Sequence, residues 1–346
     1  MREPTPVATQ TELTQLLELT QRVGSDPLLT QASTGNSSVK LDGVLWIKAS
    51  GKWMADAMRD DILIPLDLAE VVTECLRGVD PAEVHPSASL ETAMHAMLPY
   101  PVVLHVHCVN TIAWAVRNDG PIHLQPSLRG LRWQWIPYRM SGLPLSREIQ
   151  RALSASPDKN LFILGNHGLV IGGDDVKTVE DLLTEVKERL TIPARQAQPA
   201  DYAALAEIST GSPWALPNDH GVHALGTDVI SRAVLAGGLL YPCQAIFSDS
   251  RTPALFSPIP YPGSGDDWKR RYHNRPFLII EGRGVIVSKS MAPAELAMIS
   301  GLAQVVQRIH ADAPLRYLTP VEAAGVTSQA AYRYRELASA GRGVQA

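Results

Sequence analysis

The stretch Pro86-Ser-Ala-Ser-Leu-Glu-Thr-Ala-Met-His-Ala-Met-Leu-Pro-Tyr-Pro-Val-Val-Leu-His-Val-His107 constrains the fold of this chain more than any other. It reads as a short helix feeding a buried strand that ends in His105-Val106-His107. Side chains alternate faces along a strand, so the two histidines point one way while Val106 and Cys108 point the other. Two imidazoles on one strand face are a pair that zinc accepts readily. A catalytic zinc takes a third protein ligand and keeps one open position. His167, in Asn166-His167-Gly168 between two apolar runs, is the natural donor. Three neutral imidazoles leave the metal its full double charge and a free face. Glu91, on the helix leading into the strand, adds a carboxylate suited to proton transfer.

The other histidines carry less. His95 lies one turn after Glu91 on the same helical face and reads as a packed residue that could support the site. His220 and His223 form a His-x-x-His in a loop, and His85, His123, His273 and His310 follow no pattern.

Composition narrows the possible partners. The 346 residues suggest two domains, and 45% hydrophobic content suffices for packed cores. A formal charge of −4 and the absence of a basic run with interleaved aromatics argue against nucleic-acid binding. No stretch approaches the ~18 uninterrupted apolar residues of a membrane span, and the first residues lack an apolar leader segment. A cytoplasmic, soluble protein is the expectation. Three widely spaced cysteines, Cys75, Cys108 and Cys243, with no Cys-x-x-Cys, fit neither a disulfide scaffold nor a thiolate zinc finger.

Along the chain, residues 11–23 carry leucines at helical spacing before Gly24. Asp42-Gly43, between two β-rich runs, predicts a hairpin. The loop before it, Thr34-Gly-Asn-Ser-Ser38, offers backbone N–H groups and small polar side chains, which can hold an anion or merely cap a strand. Ala49-Ser-Gly-Lys52 repeats this with a cation, and Lys52 could meet a substrate anion or sit in solvent. Asp67 to Gly78 predicts a capped helix. Short helices are expected over 111–117, 146–154 and 176–190, a loop over 119–130, and strands over 133–138, 161–164 and 168–172. Residues 195–218, rich in Ala, Pro, Gln and Ser, read as a linker or a linking helix between a domain of residues 1–194 and a smaller one of 219–346. In the latter, a helix over 227–236, a strand over 241–247 and a loop over 252–274 are expected.

The second unit resembles a reduced copy of the first. Asn160-Leu-Phe-Ile-Leu-Gly-Asn-His-Gly-Leu-Val-Ile171 is echoed by Asn274-Arg-Pro-Phe-Leu-Ile-Ile-Glu-Gly-Arg-Gly-Val-Ile-Val287, with Arg283 where the first copy has His167. A weaker echo pairs Leu98-Pro-Tyr-Pro-Val102 with Leu240-Tyr-Pro-Cys243. The copy lacks the histidines, so one site per chain follows.

Taken in order, Thr34-Gly-Asn-Ser-Ser38, Ala49-Ser-Gly-Lys52, Pro86-Ser-Ala-Ser-Leu-Glu-Thr92, His105-Val-His107 and Asn166-His-Gly168 resemble the class II aldolase/adducin family, which includes fuculose- and rhamnulose-phosphate aldolases. The resemblance spans roughly residues 10–192. It implies an α/β fold: a three-layer α/β/α domain with a mostly antiparallel central sheet, followed here by the smaller degenerate α/β domain. It implies Zn2+ on His105, His107 and His167, and Glu91 as general acid/base. Gly35, Asn36, Ser50, Gly51, Ser87 and Ser89 would approach the substrate's anionic group, with Lys52 beside them. Tyr138 resembles the tyrosine that family aldolases offer to a neighbouring subunit's site as a proton donor. A homo-oligomer, dimer or tetramer, is also implied, with the second unit standing in a neighbour's place.

The chemistry follows from the residues as well. Breaking a carbon–carbon bond beside a ketone needs a base for the β-hydroxyl proton and an electrophile for the enediolate charge. The expected activity is a zinc-dependent retro-aldol cleavage of a sugar phosphate or related sugar to dihydroxyacetone phosphate and an aldehyde. Two rivals share the scaffold or the fold: an epimerase or sugar-acid decarboxylase, and a catalytically inactive adducin-like binding module. Family epimerases usually carry aspartate where Glu91 stands. The motif here is Pro-Ser-Ala-Ser-Leu-Glu rather than Pro-Ser-Ser-Glu, which leaves the substrate open between phosphate and carboxylate.

Overall fold

The structure is a computed structural model that describes residues 7–248, 256–263, 267–326 and 329–340. Seven strands form the main sheet: β1 (Asn36–Leu41), β2 (Val44–Lys48), β3 (Leu63–Asp67), β4 (Val102–Val106), β5 (Trp133–Ile136), β6 (Leu161–Leu164) and β7 (Gly168–Gly173). Their order is β3-β2-β1-β4-β7-β6-β5. Every neighbouring pair is antiparallel except β5 with β6, so the sheet is mostly antiparallel, as expected. Asp42 and Gly43, at φ 50° and 78°, make the tight turn joining β1 to β2. This is the left-handed pair that a two-residue hairpin needs.

Helices cover both faces because the central strands are apolar on both sides. Val102, Leu104 and Val106 of β4 share one core with Leu16 and Leu19 of helix Val7–Gly24 and with Val179, Leu183 and Val186 of helix Val176–Leu190. Val103 packs on the other face with Met94 of helix Thr92–Met97 and with Leu145, Ile149 and Leu153 of helix Leu143–Ala155. Each such fully buried side chain contributes about 1.5–3 kcal/mol. His105, two residues beyond Val103, therefore faces the layer that carries Glu91.

A second sheet contains β8 (Trp214–Ala215), β9 (Phe277–Ile280) and β10 (Gly284–Ser288), in the order β8-β10-β9. A large core joins the two halves. Val109 and Ile112 of helix Val109–Ala115 pack there with Leu302, Val305 and Val306 of helix Pro293–Val306. Among the described residues, no helix is long and apolar enough to cross a membrane.

Some local expectations hold and others shift. Helix Leu68–Arg77 has Asp67 as its N-cap, bonded to Glu70 N, and ends on Gly78 at φ 83°. Residues 120–127 form a helix rather than a loop, with Pro121 in its first turn, where a missing N–H costs nothing. The helix expected from Ser146 starts at Leu143. Ser146 is instead buried within it, donating to Ala93 O. Residues 242–248 form helix Pro242–Ser248 rather than a strand, and helix Asp267–Tyr272 lies within the expected 252–274 loop, of which residues 252–255 and 264–266 lie outside the described residues. Pro242 opens the former, and alternation over so short a run does not separate strand from helix. The stretch 195–218 holds helix Tyr202–Ser209 and β8, so the second sheet begins inside it.

Candidate metal centre

The site assembles where β4, the β6–β7 turn and the start of helix Thr92–Met97 converge. Asn36 opens β1 directly opposite His105. Gly35 precedes it at φ 72°, and a Cβ there would stand 2.8 Å from His105 O, so only glycine lets the loop reach the strand. Gly168 is equally constrained, since a Cβ would meet Val106 O at 2.4 Å.

His105, His107 and His167 are all buried, and their ring centroids stand 4.9 Å apart in every pairing. One ligand atom from each lies within 4.8 Å of the others. His105 donates from Nδ1 to Leu169 O at 2.9 Å, which leaves Nε2 with its lone pair free for the cluster. His107 Nε2 lies 3.0 Å from His105 Nε2. Nitrogens on a tetrahedral zinc at 2.0–2.1 Å stand roughly 3.3–3.4 Å apart, close to this spacing. His167 points Nε2 at the same cluster, 3.2 Å from Glu91 Oε1, and three imidazole nitrogens are a donor set that zinc accepts. The donor set therefore fits a divalent metal. Burial pushes His107 well below the ordinary imidazole range and His167 down to about 4, so both rings are neutral donors at pH 7.

Glu91 stands at the cap of its helix with Oε2 3.3 Å from His105 Nε2 and Oε1 3.2 Å from His167 Nε2. Its carboxylate accepts from Asn36 Nδ2 at 2.8 Å and Ser141 Oγ at 3.2 Å. Burial alone would raise its pKa. The fields of His105, His167 and His107 together with the Asn36 bond outweigh that and hold the group below the usual carboxylate range. His95 supports this arrangement: Nε2–H donates to Asn36 Oδ1, while Nδ1 pairs with Ser38 Oγ at 2.7 Å. The Asn36 amide thereby turns its NH2 toward Glu91 and Ser89 Oγ.

Gly35, Asn36, Ser50, Ser89, Glu91, His107 and His167 line one pocket, with His105 at its base. Four expected residues fall elsewhere. Lys52 is exposed beside Asp60 at 3.5 Å, because the Ser50–Gly51 turn carries it away from the pocket. Ser87 is exposed and meets the loop only through its carbonyl, which accepts from Ser50 N at 2.9 Å. Gly51, at φ 74°, packs under Leu337, where a Cβ would come to 2.3 Å. Tyr138 is buried in the core between the halves beneath Arg316, at 5.0 Å, and does not line the pocket.

The pocket also contains groups that the sequence alone does not flag. Lys48, only 1% exposed at the end of β2, bonds Lys52 O at 2.6 Å and Ser33 O at 3.1 Å, pinning the two small-residue loops together. Burial, partly offset by Glu91, brings its pKa down to about 7. The signal lies in its position, since Lys48 ends an apolar run just before Ser50-Gly51. From the C-terminal half come Pro242, Cys243, Ile246 and Tyr334, whose OH accepts from Ser33 Oγ at 3.0 Å. No local motif marks these four, because only the fold brings them near.

The chain is similar to several known proteins. A Bacillus subtilis (strain 168) protein named uncharacterized oxidoreductase YuxG is 27% identical across 47% of this chain, which spans only 27% of that relative. The N-terminal class II aldolase domain of a conserved protein from Thermoplasma acidophilum has 21% identity and a TM-score of 0.45, covering 55% of this chain and 95% of that one. L-fuculose-1-phosphate aldolase from Thermus thermophilus gives 18% identity and a TM-score of 0.39, covering 51% and 91%. The sequence profile of the Class II Aldolase and Adducin N-terminal domain matches residues 14–194. That span holds all three histidines and Glu91, and the chain belongs to the class II aldolase and adducin family.

Proposed function

We propose that the chain is a zinc-dependent lyase that cleaves a ketose phosphate, or a related sugar bearing an anionic group, to dihydroxyacetone phosphate and an aldehyde. The observation that carries this reading is Glu91, buried between His105 and His167 at 3.3 and 3.2 Å. A scaffold without chemistry has no use for a desolvated carboxylate beside three imidazoles. His105, His107 and His167 would hold the metal, which when bound supplies positive charge opposite the oxygen that becomes negative as the carbon–carbon bond breaks.

The remaining work belongs to this chain's own side chains. Glu91, the buried carboxylate beside His105 and His167, takes the β-hydroxyl proton. Asn36 and Ser141 fix both carboxylate oxygens, so the base is aimed before substrate arrives. Lys48 supplies the pocket's cationic field for the substrate's phosphate or carboxylate, in place of the exposed Lys52. The Gly35 and Ser50 loops carry the small polar groups that surround that anion. Tyr334, rather than Tyr138, is the phenol that faces the substrate.

Elemental analysis of purified protein tests the metal: close to one zinc per chain is expected, lost in His107→Ala. A screen of ketose phosphates and sugar acids, following carbonyl products with and without chelator, tests the reaction. Glu91→Gln keeps the metal and loses turnover. A wild-type chain without bound metal, or metal-loaded protein that cleaves none of these compounds, would refute the reading.

A further inference from the structure

The three histidines lie within residues 14–194, yet two of them are held by residues beyond that span. His105 is the exception, since its Nδ1 donates to Leu169 O inside the same sheet. His107 turns Nε2 toward His105 and Nδ1 toward Cys243 Sγ, at 3.4 Å. Cys243 is buried. When Nε2 is a ligand, the proton of neutral His107 sits on Nδ1 and the thiol sulfur is its acceptor.

His167 depends on the C-terminal half through Asn166. This residue is fully buried with φ 53°, a conformation that asparagine tolerates better than other non-glycine residues. Asn166 Nδ2 donates to Leu240 O and to Arg316 O, both at 2.8 Å, and Oδ1 accepts from Arg316 Nη1 at 3.0 Å. The amide thus has three bonds, all to the C-terminal half. Leu240 and Cys243 belong to one short segment, tied by Gln244 Oε1 accepting from Leu240 N at 2.8 Å. Arg316 is anchored in turn by Glu322 at 2.6 Å.

We propose that the segment Leu240–Gln244, with Arg316, is a positioning clamp. It fixes the ring of His107 through Cys243 and the turn of His167 through Asn166, so the C-terminal half sets the metal affinity of a site whose ligands all lie in the N-terminal half. The proposal rests on the reading of the three histidines as metal ligands.

The test uses the full-length chain and reads zinc affinity by competition with a chromophoric chelator, together with the visible spectrum of the Co2+-substituted protein. Cys243→Val fills the volume without an acceptor and is expected to weaken zinc binding by about 10–100-fold and to alter the Co2+ bands. Cys243→Ser, which restores an acceptor, is expected to remain within a few-fold of wild type. If Cys243 only packs, the order reverses, with valine tolerated and serine harmful, and the clamp is overturned. Arg316→Met approaches through His167 and carries the test should Cys243→Val not fold. It too is expected to weaken zinc binding, and unchanged affinity would count against the clamp. A wild-type chain that binds no zinc overturns the ligand reading itself, a result separate from wild-type binding with indifferent variants.

Discussion

Two hairpins of this molecule share a register and part company at the turn. In β6–β7, Leu164 pairs with Gly168 across Gly165-Asn166-His167, and in β9–β10, Ile280 pairs with Gly284 across Glu281-Gly282-Arg283. Both turns hold a left-handed middle residue, Asn166 at φ 53° and Gly282 at φ 68°. Both dock by a backbone bond of 2.9 Å onto a helix, Asn166 N to Ala115 O and Gly282 N to Gly226 O. The third turn residue then goes opposite ways. His167 meets Glu91 in the buried cluster, whereas Arg283 reaches outward to Asp201 and over the Tyr261 ring. The strand beside the hairpin explains the difference: β7 lies against β4, which brings His105, while β10 lies against the two-residue β8, which brings none. A repeated hairpin carries the backbone of a site, and the neighbouring strand decides whether there is chemistry to attach to it.

The widest separation between the copies is expected from the turn residues themselves. His167→Ala should remove stoichiometric zinc and lower turnover by more than the ~100-fold upper range for losing an outer partner of a ligand. Arg283→Ala should leave zinc content untouched. Equal metal loss in both would break the comparison.

The next largest effect concerns buried titratable groups, which among the described residues gather in the first half around Lys48, Glu91 and the three histidines. Folding lowers the Lys48 pKa from 10.5 to about 7, so between those values the unfolded chain binds more protons and stability rises with pH. From pH 7 to 9 this amounts to roughly 2 kcal/mol. Chemical denaturation across that range should show the rise, and Lys48→Met should flatten it in part. Lys40, lowered to about 8, keeps a share, and above pH 9 Cys75, raised to about 11, pulls the other way.

Smaller effects bear on the turns. Asn166→Gly relieves the left-handed backbone but abandons three buried bonds, and should cost about 2 kcal/mol in thermal or denaturant unfolding. Gly282→Ala, with nothing near its Cβ, should cost about 1 kcal/mol from its positive φ alone. Arg283→Ala should cost less than about 1 kcal/mol, since its ion pair with Asp201 is largely exposed.

Much of the first half could be read from the chain. Alternation placed His105 and His107 on one face, and Asp42-Gly43 marked the hairpin. The two hairpins were visible as an echo because short apolar strands around a turn keep their spacing. The weaker echo fails: Leu98-Pro-Tyr-Pro-Val102 enters strand β4, while Tyr241-Pro-Cys243 enters a helix. Lys48 and Lys52 show why local reading reaches a limit. Both flank Ser50-Gly51, and only the path of that turn decides which lysine is buried. Cys243 and Tyr334 were out of reach for a different reason, being 136 residues from His107 and 301 from Ser33 in sequence. Contacts at such separation leave no periodicity or spacing to find.

The clamp from Leu240 and Arg316 also imposes an order in time. A ribosome finishes residue 194 well before it reaches 316, an interval of roughly 6–24 s at 5–20 residues per second. During that interval the three histidines already exist on a chain that lacks Arg316 and, for the first 49 of its 122 residues, Cys243 as well. The ligands are therefore made before the residues that hold two of them in place.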